Sequence, residues 1–289
     1  MTGPAPVGTL DRPRAARLFG RTDGEKRHGT GGLSGEADLT GGLLLALLAG
    51  LLGLVVGSFL NVVIHRVPRR ESVVWPGSRC PECGTAIPAR DNVPLLSYLL
   101  LRGRCRSCGA SIPARYPLVE ALTGALFLLV ALRFGAELAL LPALVLVASL
   151  VALAVTDLEH RLLPNAIVGP AALAGLALST LARPEWWWVY PLSGLAAGAA
   201  LFLISALRPG GMGMGDVKLA AMLGCFLGPY AFLAVFLGAL LGTATSAGLM
   251  ATGRADRRTK LPFGTFMAAG AVLVLFLGPA LWSAYLGLF

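Results

Sequence analysis

Charge is what this sequence has least of. Asp, Glu, Lys and Arg together make up 13% of its 289 residues, about half the fraction usual in a soluble domain. With 56% hydrophobic residues and a mean hydropathy of +0.74, the chain has more long apolar runs than a water-soluble fold could hide, and a bilayer is the solvent that accepts them. The basic excess, formally +9, comes without aromatics interleaved among the basic residues, so no nucleic-acid partner is expected. Loops facing the cytoplasm and anionic membrane lipid account for it. A short apolar core with a small-residue cleavage site is also missing near Met1. Residues 1–42, rich in Gly, Arg and Thr, are therefore expected as a disordered tail or as an upstream extension ahead of the natural start, not as a signal peptide.

The apolar runs give the architecture. The first spans residues 43–64, and others lie near 117–132, 138–155, 166–182, 191–207, 217–228, 231–250 and 264–289. The expected fold is an all-α polytopic membrane protein of about eight transmembrane helices, with a small polar insert, residues 65–116, after the first span and a membrane bundle over 117–289. The 217–228 run is too short to cross at 1.5 Å per residue and is expected as a half-helix or as the end of one that starts in the loop before it. Placing the insert inside the cell puts sixteen basic residues on the cytoplasmic side and only Arg133 and Arg183 outside, the bias that orients membrane proteins. The tail is the exception, with six basic residues on the outer side.

Cysteine is scarce: five residues, four of them in the insert. Cys80 and Cys83, then Cys105 and Cys108, form two C-x-x-C pairs separated by 21 residues, each pair followed by Gly. That spacing suits a tetrahedral Zn²⁺ site in a reducing compartment. Four thiolates leave no open position, so the metal would organise the insert and not catalyse. Redox-active thiols are the rival reading. Cys225 lies in an apolar run and reads as core.

Acidic residues are also scarce beyond the insert. Glu120, Glu137, Asp157, Glu159, Glu185, Asp216 and Asp256 are all there are from residue 117 onward. Asp157 and Asp216 each stand at the cytoplasmic end of an apolar span, where a carboxylate is costly unless it has a function or a partner. Asp157 precedes Leu163-Pro164-Asn165, which should turn the chain into the next helix. Asp216 follows Gly213-Met214-Gly215, where missing Cβ atoms let backbone approach a substrate chain. Lys218 follows two residues later. The glycines do not make a phosphate loop, because no Lys-Ser/Thr follows and no strand precedes. Two carboxylates near one water share a proton, one serving as base and one as acid, which is what peptide hydrolysis requires.

Several further stretches carry a resemblance. They are Gly57-Ser-Phe-Leu-Asn-Val-Val-Ile-His-Arg66, the C-x-x-C pairs, Asp91-Asn-Val-Pro-Leu-Leu-Ser97, Arg102-Gly-Arg-Cys-Arg106, Arg115-Tyr-Pro-Leu-Val-Glu120, Thr156-Asp-Leu-Glu-His160, Gly213-Met-Gly-Asp216 with Lys218, and Lys260-Leu-Pro-Phe-Gly264. In this order they closely resemble the type IV prepilin peptidases, G-x-G-D-type intramembrane aspartic peptidases of bacterial inner membranes. The resemblance implies that Asp157 and Asp216 are the catalytic pair and that prepilins and pseudopilins are cut on the cytoplasmic side after a leader-ending Gly. It also implies that the new N-terminus is methylated with S-adenosylmethionine, the insert marking the bifunctional form. It does not carry over the residues that hold S-adenosylmethionine. Glu120, by its place in the motif, is a candidate for methyl transfer or substrate contact. Thr265 departs from the family, which often has Pro there. Two alternatives remain: a peptidase alone with a structural zinc domain, and a non-enzymatic transporter or secretion-assembly protein using the Asp pair for protons. An assay of methyl transfer separates the first from the bifunctional enzyme. The second has no need of a G-x-G-D loop.

Overall fold

The computed structural model describes residues 32–207, 212–254, 256 and 261–286. The first helix, α1, runs Gly32–Arg66 and begins eleven residues before its apolar run. The expected tail falls outside the described residues as far as residue 31. Beyond that point the chain is already helical, because extending a nucleated helix outward costs little per residue. A five-residue helix in the insert, α2 (Leu96–Leu100), is followed by α3 (Arg115–Phe134), α4 (Leu140–His160), α5 (Asn165–Ala182), α6 (Val189–Leu207), α7 (Met214–Leu227), α8 (Tyr230–Ala251) and α9 (Phe263–Leu286).

The eight apolar runs thus appear as eight long helices, but they are not equivalent. Among the described residues, six are long and apolar enough to cross a membrane: α1, α3, α4, α5, α6 and α8. Helix α9 has 24 residues. Helix α7 has 14 residues, about 21 Å at 1.5 Å per residue against a hydrocarbon core of about 30 Å.

Proline and glycine set the helix ends. Pro164 is extended (φ −65°, ψ 130°) and delivers the chain into α5, its fixed φ being suited to a helix start. Helix α4 ends where Arg161 turns left-handed (φ 52°, ψ 41°) and its N–H closes on the Asp157 carbonyl at 2.8 Å. That position usually falls to Gly, and here an arginine takes it one turn past an aspartate.

Helix α4 is the hub, packing against α1, α3, α5 and α9, and Leu146, Leu150 and Leu153 along it are fully buried. Helix α7 lies among α5, α6, α8 and α9. Small residues set the closest crossings, as between membrane helices generally. A Cβ on Gly224 would stand 2.4 Å from the Gly194 backbone, so α6 and α7 meet glycine to glycine. Helices α1 and α3 meet the same way at Gly53, where a Cβ would be 2.9 Å from the Gly124 Cα, and close again at Gly57, where a Cβ would be 2.8 Å from the Glu120 Cα.

Candidate active site

Asp157 occupies the last turn of α4 and is 6% exposed. A carboxylate that deep needs donors. The Thr265 N–H donates to its Oδ2 at 3.0 Å, with the Thr265 hydroxyl at 3.4 Å from the same oxygen and 3.1 Å from the Ala154 carbonyl. Thr265 lies in the first turn of α9, where a backbone N–H has no partner within its own helix. A proline, which the resemblance leads one to expect there, has no N–H to give.

Asp216 stands in the first turn of α7, the third residue after Gly213. The Gly213 N–H donates to its Oδ2 at 3.3 Å, and the Asp216 N–H donates back to the Gly213 carbonyl at 3.1 Å. A carboxylate is favoured at this end of a helix by the aligned peptide dipoles.

Both aspartates line one cavity of about 470 Å³. The Leu162–Ala166 connection between α4 and α5 forms one wall, and Gly213 and Gly215 form another. The two glycines differ. Gly213 has an open side facing the Asp216 carboxylate, whereas a Cβ on Gly215 would press the Leu163 side chain at 3.1 Å. Gly215 is therefore small for packing against the α4–α5 connection. Lys218 lines the cavity too, and its Nζ donates to Asn165 Oδ1 at 3.0 Å, joining α7 to the start of α5.

Sequence reasoning did not single out several neighbours. Val67, Pro68 and Arg70, just past α1, form part of the cavity wall, as do Arg161 and Leu163. Gly264 leaves room for the Asp157 carboxylate, since a Cβ would be 2.9 Å from Oδ2. Of these, Leu163 had a signal in the Leu163-Pro164-Asn165 turn, and Gly264 in the Lys260–Gly264 stretch that it closes. Lys260 itself lies outside the described residues.

In the insert, the four cysteine sulfurs lie within 4.8 Å of one another and could hold a metal ion. Cys80 and Cys108 Sγ are 3.8 Å apart. Four sulfurs at about 2.3 Å from a tetrahedral zinc are separated by about 3.8 Å, so this edge has the length the ion requires. The two halves are built alike. Cys80 N–H donates to Thr85 O and Cys105 N–H to Ala110 O, while Gly84 and Gly109 (φ 69° and 71°) donate back to the two cysteine carbonyls. Each glycine takes a positive φ that lets the chain double back around the sulfurs. Arg106 grips Asp91 with two hydrogen bonds, at 2.8 and 2.6 Å, and holds its carboxyl below the usual range.

Glu120 is elsewhere. It is buried, its Oε2 accepts the Leu95 N–H at 2.8 Å, and it does not line the cavity. Its observed contact ties the insert to α3. A separate tie joins the start of α3 to the end of α4, where Arg115 donates to Glu159 at 2.5 Å, two residues past Asp157.

Residues 51–134 match the family model of the bacterial peptidase A24 N-terminal domain, and residues 144–247 match that of the type IV leader peptidase family. The chain is 48% identical over 232 residues to a prepilin leader peptidase/N-methyltransferase of Myxococcus xanthus, covering 76% of this chain and 68% of that protein. A protein of the same name from Bacillus subtilis is 38% identical over 236 residues, covering 81% of this chain and 95% of its own length. One from Pseudomonas aeruginosa is 35% identical over 265 residues, covering 82% and 91%. No solved structure matches.

Proposed function

Since the chain belongs to the type IV leader peptidase family, we propose that it cuts the leaders from prepilins and pseudopilins with Asp157 and Asp216, at the cytoplasmic face of the bacterial inner membrane. The observation that carries this is the single cavity lined by both carboxylates, one on each of two helix ends. The basic bias of the loops, sixteen residues against two, supports the cytoplasmic placement.

The donor pattern supports a division of labour. Asp157 takes an N–H at 3.0 Å with a hydroxyl nearby, whereas Asp216 takes one N–H at 3.3 Å. The better-donated carboxylate is the better home for charge. Asp157 then removes a proton from water as the water oxygen attacks the scissile carbonyl carbon. Asp216 gives its proton to the departing amine nitrogen as the C–N bond breaks. Gly213, with no side chain and an exposed position, leaves room for the substrate backbone beside Asp216. Lys218, Asn165 and Leu163 hold the α4–α5 connection against α7 and so fix the distance between the two acids.

Cys80, Cys83, Cys105 and Cys108 hold one structural Zn²⁺ in this reading, supported by the sulfur–sulfur edge and the paired turns. S-adenosylmethionine would supply the methyl group for the new N-terminus. That step rests on the relatives' names, and no residue here is assigned to it.

The test is leader cleavage and methylation of a prepilin by the purified protein in lipid vesicles, read by mass spectrometry. Shortening at the leader junction is expected, lost in Asp157→Asn and in Asp216→Asn. Undiminished cleavage by either variant would remove that residue from the pair.

A further inference from the structure

Helix α2 is inside out for a domain in water. Its Ser97 is buried, while Leu96, Leu99 and Leu100 are 52%, 71% and 73% exposed, and Val93 just before it is 42% exposed. Its position is held by a strained turn. Leu95 has φ 60° and ψ −48°, closed by the Leu96 N–H on the Pro94 carbonyl at 2.6 Å. A non-glycine residue keeps such a γ-turn only where its surroundings impose it. Here the imposing group is the Glu120 carboxylate on the Leu95 N–H.

That bond sets the depth of α2. Glu120 lies five residues into α3 and packs on Gly57, nine residues before the end of α1 at Arg66, about 14 Å along the helix at 1.5 Å per residue. The insert is therefore drawn down beside the bundle at this point. On the same turns of α3, on the face away from Glu120, Leu118 and Leu122 are 67% and 44% exposed, so α3 presents apolar surface at the level where Glu120 holds α2. The insert as a whole carries nine Arg against Glu71, Glu82 and Asp91, and exposed Arg90 and Arg102 flank the helix.

We infer that α2 is an interfacial anchor, with Leu96, Leu99 and Leu100 in the acyl boundary of the cytoplasmic leaflet and the flanking arginines at the phosphates of anionic lipid. Short apolar faces with basic flanks bind bilayers in this way. The anchor fixes the height of the insert over the bundle independently of the proposed chemistry. The competing occupant of the face is the apolar segment of a protein substrate. The apolar surface of α3 at the same level and the arginine excess favour lipid.

The test places a diazirine-bearing leucine analogue at position 99 or 100 of the full chain in phosphatidylglycerol/phosphatidylethanolamine vesicles, with the same analogue at Glu82, an exposed position in the first cysteine loop, as reference. Lipid adducts at 99 and 100 should exceed those at 82 several-fold and persist when prepilin is added. Glu120→Ala should lower them several-fold with metal content unchanged. Yields at 99 and 100 no higher than at 82 would overturn the inference. So would adducts that pass from lipid to prepilin when it is added, which would make the face a substrate groove.

Discussion

Replacing Gly264 by Ala puts the smallest possible obstruction against Asp157. The new Cβ would lie 2.9 Å from Asp157 Oδ2 and 2.9 Å from Leu163 Cδ1, where ordinary contact begins at 3.4 Å. Something must move by about 0.5 Å. Leu163 is buried and already faces Gly215 at close range from its other side, so it has little room to retreat. The carboxylate has the cavity in front of it and is the group that shifts, leaving the Thr265 N–H behind. A hydrogen bond to a charged group contributes about 1.5–3 kcal/mol, which at about 1.4 kcal/mol per decade is a fall of roughly 10- to 150-fold in cleavage rate. Overpacking adds about 1–3 kcal/mol of destabilisation, small enough for the protein to remain folded and inserted. Gly248→Ala is the control, because no atom lies within 4 Å of its new Cβ. The assay is the initial rate of leader removal in vesicles for both variants at equal amounts of inserted protein. If Gly264→Ala cleaved as fast as Gly248→Ala, the placement of Asp157 against α9 would be wrong as a description of the working site.

Asp157→Asn and Asp216→Asn should each lower cleavage by at least about 10²-fold, the scale of a lost general acid or base, with full zinc content by elemental analysis. Purified protein should hold about one zinc, and Cys80→Ser should lose it, because removing one ligand undoes the apparent binding energy of about 10–16 kcal/mol that folds such modules. Methylation should then fail while cleavage survives at least in part, since both aspartates belong to the bundle. Lost cleavage with intact methylation would reverse that assignment of domains. Reporter fusions at the insert and in the loop around Asp256 should report the cytoplasm, and an outside signal from the insert would refute the proposed side of cleavage.

The helices were legible in the sequence because a membrane helix is a long apolar run and little else resembles one. The two aspartates were legible as candidates for the complementary reason, standing as carboxylates where charge is costly. What bound them was not. Asp157 and Thr265 are 108 residues apart, and only the packing of α4 on α9 brings them together. Val67, Pro68 and Arg70 read as the start of a polar insert, and nothing local says that they wall a cavity beside α5 and α7. Glu120 stood out by its motif, but its partner, the Leu95 N–H, is a backbone atom and leaves no mark on composition. Gly215 read as room for a substrate, and the atom beside it is Leu163.

The brevity of α7 has a consequence for the bundle around it. The helix is about 9 Å shorter than a hydrocarbon core of about 30 Å, yet it is enclosed by α5, α6, α8 and α9, with Leu219, Ala220, Met222 and Leu223 wholly buried. Its short end therefore meets protein and not lipid. The cavity at its first turn is walled by the α4–α5 connection and by the chain just past α1. A bundle can keep a hollow beside a carboxylate by letting one inner helix stop early.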